Sequence, residues 1–529
     1  MILVRNLRME LDEDDTSLAR RASKKLKLPG DALESMQLVK RSLDARKKND
    51  IHYVCAVALS VRGDEEKIIA RAKSADVGVY EKKEYFIPGV SPKTRPVVVG
   101  FGPAGMFAAL VLALSGAKPI VIERGRPVEE RAKIVEHFRA VGVLDTECNV
   151  QFGEGGAGTF SDGKLNTGTK DWRMGWMLSQ LYEHGAAKSV LFDAKPHIGT
   201  DVLIDVVRNI REHIIALGGE IRFACKMERL VADGGKLSGI IVSESGMERR
   251  IDCERLILAI GHSARDSFET LHAQGVPMQP KAFSMGVRIE HRQSDIDLAQ
   301  YGRERAGLPA ADYSLNVHLP DGKSAYTFCM CPGGEVIAAA SENGGVVTNG
   351  MSYSRRDGEN ANSAVLVTLG VEDFPYEGAL GGMYWQRDIE KAAYDYGGGN
   401  YCAPCQLLGD FMTGRPSEKA ASVTPSYRPG VIWGELRDVL PERIWSVLEN
   451  AIPALGKKLR GFDDPEAVLT APESRSSSPV RINRDELCRS AIEGLYPCGE
   501  GAGYAGGISS AAVDGMRCAE AVIRDIQAE

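Results

Sequence analysis

The chain has 529 residues, 43% hydrophobic and 26% charged, and a formal net charge of −7. This is ordinary globular composition, long enough for two to four domains, and its acidity argues against a nucleic-acid protein overall. The longest apolar run, Met106 to Leu114, is too short to cross a bilayer, no charged-then-apolar leader opens the chain, and the eleven scattered cysteines suit reduced thiols in a cytoplasm.

In chain order, residues 1–92 read as a ferredoxin-like α+β domain. Strands are expected over 1–11, 36–45, 51–61 and 77–87, with helices over 14–28 and 65–74. Its basic cluster, Lys40, Arg41, Arg46, Lys47 and Lys48, reads either as a phosphate or RNA contact or as a solvated hairpin tip. Residues 89–96 read as a linker.

The apolar strand Pro96-Val97-Val98-Val99 then runs into Gly100-Phe101-Gly102-Pro103-Ala104-Gly105, a G-x-G-x-x-G that opens a buried helix. A second strand, Ile120-Val121-Ile122, ends on Glu123. This is a complete dinucleotide-binding β-α-β unit. The first glycine makes the tight turn, the second admits a pyrophosphate and the third lets helix and strand pack closely. The acid accepts hydrogen bonds from a ribose. Two further matches lack that context: Gly153 to Gly158 leads into turn residues, and Gly501 to Gly506 opens a helix with no strand left to follow. A helix over 204–216 and strands over 221–224, 237–243 and 254–262 continue this unit to about residue 270. From 271 to 464 short strands and turns with few long helices indicate an inserted β-rich substrate domain. The chain returns at 465–529 with a strand ending at Gly499 and a helix from Ser509.

Val98 to Gly125, Ile257 to Gly261 and Tyr496 to Gly503 resemble the FAD-binding segments of the glutathione-reductase-type flavoproteins. More narrowly, Asn149 to Leu165, Phe328 to Gly334, Glu473 to Ile482 and Gly503 to Ile508 resemble a bacterial FAD-dependent dehydrogenase family of undefined substrate. The resemblance implies non-covalent FAD in a split α/β domain. Glu500 stands where the related motif carries aspartate. FAD also explains the second glycine-rich site, whose helix dipole would stabilise negative charge on the reduced flavin. Cofactor contact is thereby assigned to Gly100, Gly102, Pro103, Ala104, Gly105, Glu123, Arg124, Arg131, Gly156, Ala157, Gly158, Thr159, Ser161, Asp162, Lys164, Met227, Ala259, Gly261, Gly499, Glu500, Gly506, Gly507 and Ile508.

For the chemistry, Lys164 either polarises the flavin or contacts the pyrophosphate. Arg475 either grips a substrate carboxylate as a two-bond fork or serves its loop structurally. Cys329 and Cys331 read either as a thiol relay over the flavin or as buried structural thiols, and Cys402 with Cys405 as a weaker redox pair. His262 is expected to neighbour the cofactor without acting as a base. The leading expectation is an FAD-dependent oxidoreductase acting on a small molecule. With no second β-α-β unit, its reduction would come from substrate, from a small reductase, or from NAD(P)H bound without such a unit. An RNA-modifying flavoprotein and a non-catalytic redox sensor are the alternatives.

Overall fold

The computed structural model describes residues 1–29, 31–165, 170–305 and 307–529. The N-terminal unit follows a β-α-β-β-α-β order. Its antiparallel sheet runs Leu33–Asp44, His52–Val61, Ile2–Met9, Val77–Val79, under the helices Asp15–Leu26 and Glu65–Ala72. The helix Asp15–Leu26 forms because Asp14 caps the Thr16 amide and because Leu18, Ala22 and Leu26 recur at helical spacing and turn inward. The last strand is much shorter than expected. Beyond Val79 the chain leaves the sheet and lies on the cofactor domain, where Tyr85 donates to Glu520 (3.0 Å) and the Val90 amide to Ser115 (2.8 Å).

The basic hairpin tip is engaged elsewhere in the molecule. Arg41 pairs with Asp193 (2.8 Å) and exchanges backbone hydrogen bonds with Phe192 and Ala194, while Lys48 donates to the Ala299 carbonyl (2.8 Å).

The cofactor domain is built on a parallel sheet of five strands: Leu495–Pro497, Leu256–Leu258, Val97–Val99, Ile120–Ile122 and Glu220–Arg222. The central three are apolar on both faces because both are covered, one by helices and the other mainly by an antiparallel meander. One cover is Pro103–Leu114, in which every residue from Ala104 to Ala113 is buried, as an all-apolar helix must be. It packs along Ile508–Gln527, and contact is close because Gly515 faces Ala104: a Cβ there would stand 2.0 Å from the Ala104 carbonyl oxygen. A three-stranded antiparallel meander, Cys225–Asp233, Lys236–Glu244 and Met247–Asp252, closes the other side.

A further sheet has seven strands, ordered Asn316–His318, Ser324–Cys331, Asn360–Leu369, Phe283–Arg292, Val468–Glu473, Ala403–Leu407, Val431–Trp433. Val468–Glu473 pairs within this sheet, whereas Met278–Pro280 pairs with Val480–Ile482 outside it. The same stretch of chain also carries two long helices, Gly381–Tyr396 and Glu442–Gly456. The second buries Ile444, Val447, Leu448, Ala451, Ile452 and Leu455, a stripe at helical spacing laid on the sheet.

Candidate active site

One cleft runs across the C-terminal ends of the parallel strands, where open α/β sheets place ligands. The turn after Val97–Val99 forms its floor. Gly100 has φ of +93°, and a Cβ there would lie 2.3 Å from the Ala259 carbonyl oxygen, so no other residue fits. Gly105 is required by contact: its Cβ would stand 1.9 Å from the Gly100 carbonyl oxygen. Gly102 is different. A Cβ there would meet only the Gly156 Cα at 3.6 Å, and one at Gly506 would meet nothing within 4 Å. Both line the cleft, so the space they leave is a cradle for a ligand rather than for the protein.

Two helices, Pro103–Leu114 and Ile508–Gln527, start at this cleft with glycine N-caps and no side-chain cap. Their first-turn N–H groups and positive dipole ends therefore point at one elongated space, a donor set suited to a pyrophosphate at one end and an electron-rich ring edge at the other.

Glu123 lines the cleft and is 5% exposed. Its Oε2 accepts from the Phe101 amide (2.8 Å), and its Oε1 from the Gly125 and Gly153 amides (both 2.9 Å). It thus ties together three loops, and its remaining lone pairs are those available to a ribose. Pro103, Ala104, Gly156, Ala157, Gly158, Ser161, Met227, Ala259, Gly261, Gly507 and Ile508 also line the cleft.

Several assigned residues stand behind the wall. Arg131 is wholly buried and donates to the carbonyls of Asn149 (2.9 Å), Val150 (2.9 Å) and Glu154 (2.6 Å). It clamps the glycine-rich loop from beneath, and burial lowers its pKa to about 10. Asp162 pairs with Arg356 and lies 3.7 Å from Lys164. Thr159 is buried, Gly105 lies in the first turn of the helix Pro103–Leu114 and Gly499 in a turn, all outside the lining. The Gly499 amide donates to Asp514 (2.8 Å), which also holds Arg484 in a two-bond fork (2.9 and 2.6 Å). Arg124 lines the cleft, but its fork is shared between Glu147 (2.9 Å) and Asp266 (3.0 Å) and stacks on Phe152 at 4.2 Å. All of these are loop-building contacts that spacing alone did not separate from ligand contacts.

The cleft is also lined by Phe328, Cys329 and Glu473 of the seven-stranded sheet, by Asn349 of the small sheet Glu335–Ala338 with Thr348–Met351, by Arg475 and Ser476 just past Glu473, and by Lys164, His262 and Glu500. Arg475 corrects the carboxylate-grip expectation. Its fork is already filled by Glu390 (2.9 and 2.8 Å), and Nη1 donates to Ser341, so the carboxylate it holds is the protein's own. Arg265 grips the same carboxylate (both bonds 2.8 Å). Lys164 borders the cleft. Cys331 is buried and outside the lining, whereas Cys329 is in it. Cys405 is buried and Cys402 half-buried, both as free thiols away from this cleft.

Sequence reasoning assigned no role to Glu473 or Asn349. The available signal was a lone acid ending Val468–Glu473, a strand buried at every position. Burial pushes Glu473 and Glu500 each up to about 7. His262, 3.9 Å from Glu500, is lowered to about 3 by burial and by the nearby Arg475, which keeps it neutral. The cleft thus offers two carboxyl groups able to take or give a proton near neutrality.

Comparison with known proteins agrees with this donor set. Residues 93–287 match an FAD binding domain, residues 282–476 the C-terminal domain of FAD-dependent proteins, and residues 1–60 a domain of unknown function. A Clostridium beijerinckii protein described as uncharacterized is 47% identical over 531 residues, covering 99% of this chain and 98% of its own. Two solved structures are more distant. Glycine oxidase from Bacillus cereus has 13% identity and a TM-score of 0.31, over 82% of this chain and 98% of its own. A geranylgeranyl bacteriochlorophyll reductase-like protein from Thermoplasma acidophilum has 14% identity and a TM-score of 0.36, over 83% and 79%.

Proposed function

The chain belongs to the FAD-dependent protein family it shares with the Clostridium beijerinckii relative, and we propose that it is a dehydrogenase moving a hydride between a small molecule and FAD. The observation that carries this is the pair of uncapped helix starts opening onto one cleft that holds two near-neutral carboxyls. Bound FAD supplies the two-electron chemistry. The chain's own residues do the rest. The Pro103–Leu114 start would hold the pyrophosphate and Glu123 the ribose. The Ile508–Gln527 start and Lys164 would oppose negative charge on the cofactor. Phe328 and Cys329 would exclude water from the cleft, and Glu473 or Glu500 would hold the substrate proton.

Support for finer features is of the same kind. The sheet order and meander favour a glutathione-reductase-type cofactor domain, with the insert spanning roughly 283–473. The strand order of residues 1–92 favours a ferredoxin-like unit. Arg41 and Lys48 are held by contacts within the chain, which favours a docking role for that unit over RNA binding. The absence of a described helix long and apolar enough to cross a membrane is compatible with a cytoplasmic site of action.

Anaerobic incubation of the purified yellow protein with a metabolite panel, followed at the flavin absorbance band, tests the proposal. Bleaching by one substrate class is expected. A flavin that no metabolite or nicotinamide nucleotide reduces would remove the enzyme reading.

A further inference from the structure

Cys329 and Cys331 occupy an irregular stretch of the strand Ser324–Cys331. Phe328 pairs with Ala364 and Cys331 with Asn362, so two residues of one strand oppose a single residue of its neighbour. Cys329 takes up this extra residue at φ of +43°, a left-handed conformation that is costly for a side-chain-bearing residue and that gathers at functional sites. In a regular strand, residues two apart lie about 6.6 Å apart, near the outer limit for a disulfide. Cys329 lines the cleft, and Cys331 follows it two residues on at the end of the same strand. The Cys331 thiol donates to the Cys329 carbonyl oxygen (3.2 Å).

We propose that Cys329 and Cys331 are a dithiol–disulfide couple that exchanges two electrons with FAD in this cleft, an inference that rests on the FAD-dependent reading of the site.

Electrostatics separate this pair from the other thiols. Cys331, with Arg288 and Lys164 nearby, holds the Cys329 thiol below its ordinary value against the pull of burial, while burial raises Cys331. Arg288 is fully buried, 3.9 Å from the Cys331 sulfur, and donates to the Cys329 carbonyl oxygen (3.0 Å). Cys498 also touches the cleft, but burial raises its thiol and leaves it inert. On oxidation the Cys329 and Cys331 thiols join in one S–S bond and release two electrons and two protons. Both electrons and one proton pass to oxidised FAD, and the second proton leaves through the cleft to solvent.

The test uses FAD-loaded wild-type protein exposed to oxidised glutathione under anaerobic conditions, then freed of excess reagent. Peptide mapping is expected to find the segment holding Cys329 and Cys331 closed by an internal disulfide and resistant to iodoacetamide. Titration with dithionite is expected to consume two equivalents of this two-electron reductant per FAD, against one for Cys331→Ser. Should that variant not fold, the wild-type titration decides alone. Flavin present with both thiols alkylated and one equivalent consumed would overturn the couple while leaving the FAD reading intact. Protein that folds without flavin would overturn both.

Discussion

Arg265, which follows the strand Leu256–Leu258, and Arg475, which follows Val468–Glu473, converge on the Glu390 carboxylate from the insert, and all three side chains are buried. Buried charges are tolerated only when matched, so removing the carboxylate should do more harm than removing its shape. Glu390→Ala is expected to cost roughly 3–5 kcal/mol in urea unfolding, the usual penalty for an unmatched buried charge. Arg475→Lys should lose the planar fork and destabilise the protein while the flavin spectrum is retained. Asp514→Ala should behave like Glu390→Ala, since it strands Arg484, but with earlier loss of flavin because it also frees the Gly499 amide. The readout is flavin fluorescence released on mild heating. Glu123 and the Gly100–Gly105 turn were legible because their spacing is local. Glu390 and Asp514 were not: a single acid in a helix looks like a solvent-facing charge until partners 125, 85 and 30 residues away are in place.

At the scale of elements, the contact between Pro103–Leu114 and Ile508–Gln527 sets the distance between the two helix starts that face the cofactor. Gly515→Val places branched carbon against the Ala104 backbone, and overpacking of this kind costs about 1–3 kcal/mol. Since the helices must part, FAD affinity should fall with stability, which titration of the apoprotein checks. An unchanged dissociation constant would show that the helix starts do not position the cofactor. Strands and helices with a clear period were read near their observed bounds, as with Thr200–Ala216 and Lys236–Glu244. Helices Val128–Val141 and Gly381–Tyr396 were missed, the first for its weak apolar periodicity and the second for its glycine-rich start and end. The order of the seven-stranded sheet was not legible at all, because it is set by pairings between strands far apart in sequence.

For the whole molecule, two sets of carboxyls shape stability against pH in opposite senses. Burial raises Glu154, Glu473 and Glu500 from an ordinary 4.5 to about 7, so folding favours their neutral forms. Their contribution is complete below 4.5 and is lost as pH rises through 7. Burial would also raise Glu390 and Asp266, but Arg265 with Arg475, and Arg124 with Lys226, outweigh it and hold both carboxyls below their ordinary values. Their contribution is complete above the ordinary carboxylate range and is lost as pH falls below it. The apoprotein should therefore melt highest in mildly acidic buffer, between about pH 5 and 6, with a decline on either side. Melting curves from acid to alkaline pH check this, and Glu473→Gln should flatten the alkaline decline.

The parallel sheet places Leu495–Pro497 beside Leu256–Leu258, although the whole insert lies between them in the chain. During synthesis the Gly100–Gly105 segment leaves the ribosome before the seven-stranded sheet is made, and Ile508–Gln527 only after it. A chain cut before Ile508 lacks the second helix start and is expected to bind FAD more weakly, which titration of the truncated protein checks.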